Sequence, residues 1–182
     1  MNRIITKSII CTLAILLVLT PIGCEFEATE ESSNIVTADN GLSQIEIPDN
    51  WSERTDLNDE ADIQVAYLRK EMYIIVMSED KQDFEDGFTA ESYSELTREF
   101  ITDGLTDLEI SDNAEVLEID GHRALQYEIR GTMDGIKIAY LHITVDGDQA
   151  FHQIVAWTLP SKWDTNRPVL ESVINSFQEL IA

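Results

Sequence analysis

A cysteine, three histidines and a run of carboxylates are the side chains in this chain with chemistry to offer. Cys24 closes the stretch Thr20-Pro21-Ile22-Gly23-Cys24, behind Arg3, Lys7 and an uncharged run from Ser8 to Gly23 rich in Ile, Leu and Val. A basic end, an apolar middle and small residues at a processing point are the layout of a secretory signal. The run is shorter than the ~20 apolar residues a spanning helix needs. The other cysteine, Cys11, lies inside that signal. After Cys24 the chain has no thiol, so the domain has none for a disulfide, a thiolate metal site or a cysteine nucleophile.

The histidines are His122, His142 and His152. His122 follows a turn and reads as a solvated residue. His142 and His152 fall on adjacent predicted strands. A two-residue turn at Asp146-Gly147 pairs position 142 with 151 and points the imidazoles to opposite faces. A three-residue loop pairs them directly. Only the second register offers a shared metal site, and two ligands alone hold an ion weakly. Separate hydrogen-bonded histidines and no metal site are expected.

The carboxylates Glu79, Asp80, Asp83, Glu85 and Asp86 crowd together before Gly87. If Gly87 is the sixth position of a calcium loop, Gln82, Phe84 and Tyr93 occupy ligand positions, and the pattern fails. A solvated loop follows, open to a ligand or partner. Trp51, Trp157 and Trp163 read as core or core-rim aromatics; Trp163, in the connection before the last helix, is the one placed to face a ligand. No phosphate-cradling glycine loop, His-Glu-x-x-His or Gly-x-Ser-x-Gly occurs. Carboxylate pairs are too numerous for any one to stand out as an acid–base pair. The chain therefore reads as a non-enzyme with no catalytic residues and no cofactor.

Charge narrows the partners. The formal net charge is −23 over 182 residues, and losing Arg3 and Lys7 with the signal takes it to −25. Nucleic-acid binding needs a basic footprint, so that class is excluded. An anionic lipid surface is repelled too, so the charge supplies no membrane attachment.

These side chains need elements to hold them. Residues 1–23 form the signal. Residues 24–40, with Glu25, Glu27, Glu30, Glu31 and Asp39, form an acidic flexible tether with a reach of roughly 20–25 Å, at about 5–6 Å times the square root of its length. Residues 41–182 form one α+β domain. Gln44–Ile47 alternates as a strand before Pro48. Asp62–Leu68 and Glu71–Ser78 are strands, the second apolar on both faces. Thr89 is placed to cap a helix whose stripe is Tyr93, Leu96, Phe100 and Ile101, with Gly104 its stop. Leu108–Ile110, Glu115–Ile119 and Ala124–Ile129 are strands, with tight turns at Asp120-Gly121 and Asp134-Gly135. Ile136–Val145 and Gln149–Thr158 are long strands apolar on both faces, as at the middle of a covered sheet. A final helix is capped near Thr165 or Asn166, with Pro168 in its first turn. The whole predicts an α-β-α sandwich: a largely antiparallel β-sheet with helices on both faces.

Two resemblances add to this reading. Ile22-Gly23-Cys24 resembles the end of the lipobox of bacterial lipoprotein signals, although Pro21 stands where Leu, Val or Ile is usual. That resemblance implies cleavage before Cys24, a diacylglycerol and an N-acyl chain on it, and a domain held on the extracytoplasmic side of a cell membrane. Ile45-Glu46-Ile47-Pro48 with Trp51, Val116–Ile119 leading into Asp120-Gly121-His122-Arg123-Ala124, and Ile174-Asn175-Ser176-Phe177 resemble the PsbP-like superfamily. Its members include the photosystem II extrinsic P protein, a Ran-binding nuclear import factor and bacterial lipoproteins. The resemblance implies an accessory or binding protein, with partners in an envelope complex. A small-ligand or cation-binding module is the alternative, using Trp163 or the acidic loop.

Overall fold

A computed structural model describes residues 32–180. Cys24 and the signal lie outside the described residues. The fold is mixed α+β, with antiparallel strand pairing throughout and two helices. In chain order the strands and helices are β1 (Ser33–Thr37), β2 (Ser43–Pro48), β3 (Ser52–Glu53), β4 (Ile63–Tyr67), β5 (Met72–Asp80), α1 (Ala90–Thr102), β6 (Thr106–Ile110), β7 (Glu115–Ile119), β8 (His122–Met133), β9 (Ile136–Asp146), β10 (Ala150–Thr158), α2 (Trp163–Ile174) and β11 (Gln178–Glu179). The larger sheet runs β3-β4-β5-β10-β9-β8-β6, and β7 pairs the other half of the long strand β8. A second sheet joins β1, β2 and β11.

The strands apolar on both faces are central, as expected: β10 lies between β5 and β9; β9 and β10 are buried along most of their length, and β5 is buried mainly in its first half. Their residues alternate between two clusters. Ile74, Leu141, Ile143 and Ile154 join a core with Leu170, Val173 and Ile174 of α2. Ile75, Tyr140 and Val155 join another with Ile101 of α1. Both Asp-Gly hairpin turns have the left-handed backbone that such a turn requires: Asp120 and Gly121 at φ 52° and 78°, Asp134 and Gly135 at 50° and 81°.

Three expectations are corrected. The acidic tether does not extend to Asn40: Ser33–Thr37 form a strand fully paired with β2, and Val36 is buried against the core. One inward valine on a polar strand suffices once β2 offers a free edge. The α1 stripe is also turned. Thr89 caps the helix, accepting from the Ser92 N–H, but the buried face is Ala90, Tyr93, Ser94 and Thr97. Leu96 and Phe100 stand 40% and 72% exposed. The Thr97 hydroxyl is satisfied by donating to the Tyr93 carbonyl (2.9 Å), so a polar residue can be buried there. Finally, α2 begins at Trp163, entered through a 3-10 turn at Pro160–Lys162. Pro168 therefore sits inside the helix. Asn166 is no cap: its buried side chain donates to the Lys70 carbonyl (2.9 Å) and to Thr158 (2.7 Å).

Candidate functional site

The two apolar residues turned out of the α1 stripe open onto a cleft of about 480 Å³. Ile75, Tyr140 and Val155 form its buried floor. These come from neighbouring strands at positions that share a face: Ile75 pairs with Val155, and Tyr140 lies one strand further. Leu96 and Phe100 make one wall, and Met77 and Trp157 extend the apolar lining. Trp157 is stiffened by stacking on Tyr73, with centroids 5.2 Å apart and planes 15° from parallel. The rim is acidic, carrying Glu60, Glu79 and Asp103. Partial burial pushes the Glu79 carboxyl above its ordinary range, and Asp83, Glu60 and Asp62 push the same way. An apolar floor with a few placed polar groups is the usual composition of a binding cleft. Carboxylates crowded at its edge favour an incoming cation.

The acidic loop is divided between two places. Glu79 stands at the cleft. Asp80 caps a 3-10 turn by accepting from the Gln82 N–H, and Asp83 lies within that turn. Glu85 and Asp86 border a separate hollow of about 440 Å³ with Lys81, Phe84 and Phe88. The loop is pinned rather than loose: Phe84 and Phe88 stack at 4.6 Å and pack on Tyr93 and Phe151. Lys81 crosses to Asp146 (2.7 Å) and the Gly147 carbonyl. The five carboxylates therefore do not converge on one site.

Trp163 does not face a ligand. It is 5% exposed and packs in the core with Leu141 and Leu170, beneath the guanidinium groups of Arg130 and Arg167 at 5.5 and 5.8 Å. Starting α2 at this residue carries its ring inward.

The histidines follow neither register weighed above. Asp146 pairs with Phe151 across a wider loop, which sets His142 opposite Val155 and His152 opposite Val145. The imidazoles still point to opposite faces. His142 Nε2 lies 3.1 Å from Thr97 Oγ1. That hydroxyl proton goes to Tyr93, so Nε2–H donates and Nδ1 is left bare and buried without a partner among the described residues. Burial, with Arg98 adding to it, lowers the His142 pKa to about 3.

His152 belongs to a polar knot around Glu179. Its Nε2 donates to Glu179 Oε1 (3.2 Å), and Ser78 Oγ lies 2.9 Å from its Nδ1. The same carboxylate accepts the backbone N–H groups of Asp148 (2.6 Å), Gln149 (3.0 Å) and Ala150 (3.1 Å). His122, read as a solvated turn residue, brings Nε2 to 3.5 Å from Glu179 Oε2 with only 17% of its side chain exposed. Burial pushes the Glu179 carboxyl up, but its backbone donors and His152 prevail and hold it below the ordinary carboxylate range. Burial pushes the His152 imidazole down against the pull of Glu179. The Ser78-His152-Glu179 order is that of a nucleophilic triad. Here, however, the serine sits on Nδ1 and the carboxylate on Nε2, the reverse of that template, and the histidine is fully buried. The sequence held no local signal for this knot, because Glu179 meets partners 27 to 57 positions away.

No protein-family model matches the chain, and no curated protein sequence does. Its structure does have relatives, and the fold is PsbP-like. The cyanobacterial PsbP (CyanoP) of Synechocystis superposes with a TM-score of 0.62 at 18% identity, over 88% of this chain and 99% of that one. LpqN of Mycobacterium tuberculosis, described as involved in cell envelope biogenesis, gives 0.58 at 12% identity over 85% and 88%. The Saccharomyces cerevisiae Ran-binding protein Mog1p gives 0.54 at 10% identity over 81% and 95%.

Proposed function

We propose that this chain is a membrane-tethered, non-catalytic binding protein of the cell envelope. Its cleft beside α1 takes a partner segment bearing apolar side chains flanked by lysine or arginine. One observation carries the reading: Leu96 and Phe100 leave the helix's buried face to line an apolar cleft rimmed by Glu60, Glu79 and Asp103. Three further points support it. The fold is shared with a protein described as Ran-binding and with one described as involved in cell envelope biogenesis. The net charge of −23 attracts a basic partner over long range. No triad or metal-protease signature occurs in the sequence. The layering that goes with this reading is an α-β-α sandwich, since α1 and α2 contribute to the two alternate side-chain clusters of the central strands.

A photo-crosslinking residue in place of Phe100, which is too exposed to matter for folding, tests the cleft in native membranes. The adduct is expected to map by mass spectrometry to a basic, apolar segment of one protein and to be lost with Leu96→Glu. An adduct on acidic or uniformly polar segments, or none, overturns the assignment. The tether has its own test. Cys24→Ser is expected to abolish lipid labelling and leave an unprocessed precursor; persistent labelling removes the anchor from the proposal. Turnover of an envelope substrate that a point mutation abolishes would refute the non-catalytic reading.

A further inference from the structure

We infer a binding site for one divalent cation of the zinc class, formed by His122, Asp148 and Glu179 at the end of the larger sheet. Each residue offers one ligand atom, and the three atoms lie within 4.8 Å of one another. The His122 Nε2 to Glu179 Oε2 distance of 3.5 Å is close to what two ligands ~2.0–2.2 Å from a tetrahedral ion require. An imidazole with two carboxylates suits zinc and its transition-metal neighbours better than magnesium or calcium, which take oxygen ligands. Three protein ligands leave the fourth position to water.

The site is built. Glu179 is held by three backbone N–H groups and by the fully buried His152, which orients the carboxylate as an outer-shell partner does in metal proteins. Each carboxylate oxygen has two acceptor directions, so Oε2 can keep the Asp148 N–H and still face an ion. Gly147 permits the approach: a Cβ there would lie 2.5 Å from Glu179 Oε1. Asp148 is exposed and gives the ion its way in. Among the described residues, neither Asp148 nor Glu179 pairs with a lysine or arginine, so the two carboxylates come together with backbone N–H groups and imidazoles but no full cation beside them. A bound cation removes that repulsion. It also joins the first residue of β8, the β9–β10 loop and β11, three segments distant in sequence.

This site is independent of the cleft. Metal-stripped full-length protein in detergent is titrated with zinc chloride by calorimetry and by thermal unfolding, beside His122→Gln and Asp148→Asn. Both substituted side chains reach solvent, and circular dichroism checks that both variants fold. One ion per chain is expected, with affinity weakened at least ~10–100-fold in each variant, and with the zinc-dependent rise in melting temperature lost. Cobalt(II) in the same site should give a tetrahedral visible absorption band that both variants lack. Zinc binding equal in the wild type and the double variant would show only adventitious attraction to an acidic surface, and no binding in either would equally overturn the site.

Discussion

His142→Leu is expected to flatten the acid limb of the stability curve while leaving stability near neutral pH almost unchanged. The imidazole is fully buried, and its protonated form would place a charge at an Nδ1 with no acceptor. Its folded pKa of about 3 lies below its ordinary value of 6.5. For a depressed pKa, the stabilising contribution is whole above the unfolded value and is lost as pH falls toward the folded one. The window therefore opens near pH 6.5 and runs to about pH 3. At ~1.36 kcal/mol per unit, the loss across it is of the order of 5 kcal/mol, a large share of a domain's stability. Leucine approximates the volume and removes the titration, and Thr97 keeps its bond to Tyr93. Urea unfolding at half-unit steps from pH 7.5 to 4 measures the difference. His152 and Glu179 are both depressed as well, so some acid sensitivity persists in the variant. Parallel curves for wild type and variant would refute the assignment.

Glu179→Ala should destabilise the fold by ~3–5 kcal/mol, because it leaves backbone donors and a buried histidine without their acceptor. The damage should be local in its first stage. Hydrogen exchange is expected to rise at Asp148, Gln149 and Ala150 and along β11, whose Glu179 N–H also donates to Asp120 (2.9 Å). Glu179→Gln should recover part of the loss, since its amide oxygen still accepts while the charge is gone. A change below ~0.5 kcal/mol, the range of ordinary surface substitutions, would show that the knot is not structural.

The contrast between these residues explains what the sequence made legible. Strands buried on both faces announce themselves, because burial on both sides leaves no polar alternation; β5, β9 and β10 were readable for that reason. Asp-Gly turns and the Thr89 cap depend on neighbours within four positions, and they too were readable. β1 was not, since its single inward residue, Val36, follows an exposed Ile35 and breaks any alternation, and its pairing is decided by an edge supplied by β2. The α1 stripe misled because hydrophobicity alone ranks Phe100 above Thr97, whereas a hydroxyl satisfied by its own helix can be buried while an aromatic is held out. Trp163 misled because a proline-led turn starts its helix early. The cleft inherits this error: its walls are the residues that apolar periodicity assigns to the core. Glu179 was invisible because its donors come from the β9–β10 loop and from β10.

The small sheet carries one more implication. Its middle strand, β2, takes β1 on one side and β11 on the other, so Gln44 is matched with Gln178 near the far end of the described chain. Such a closure cannot form before the residues of β11 have joined the chain. Until residues 177–179 arrive, Ile45 and Ile47 lack Phe177 and the β11 edge, and the loop before β10 lacks Glu179. Long-range closures of this kind are slow steps, since loop entropy must be overcome before the contact gives anything back. Closure of the small sheet therefore waits for Gln178 and Glu179, and β11 serves as its latch.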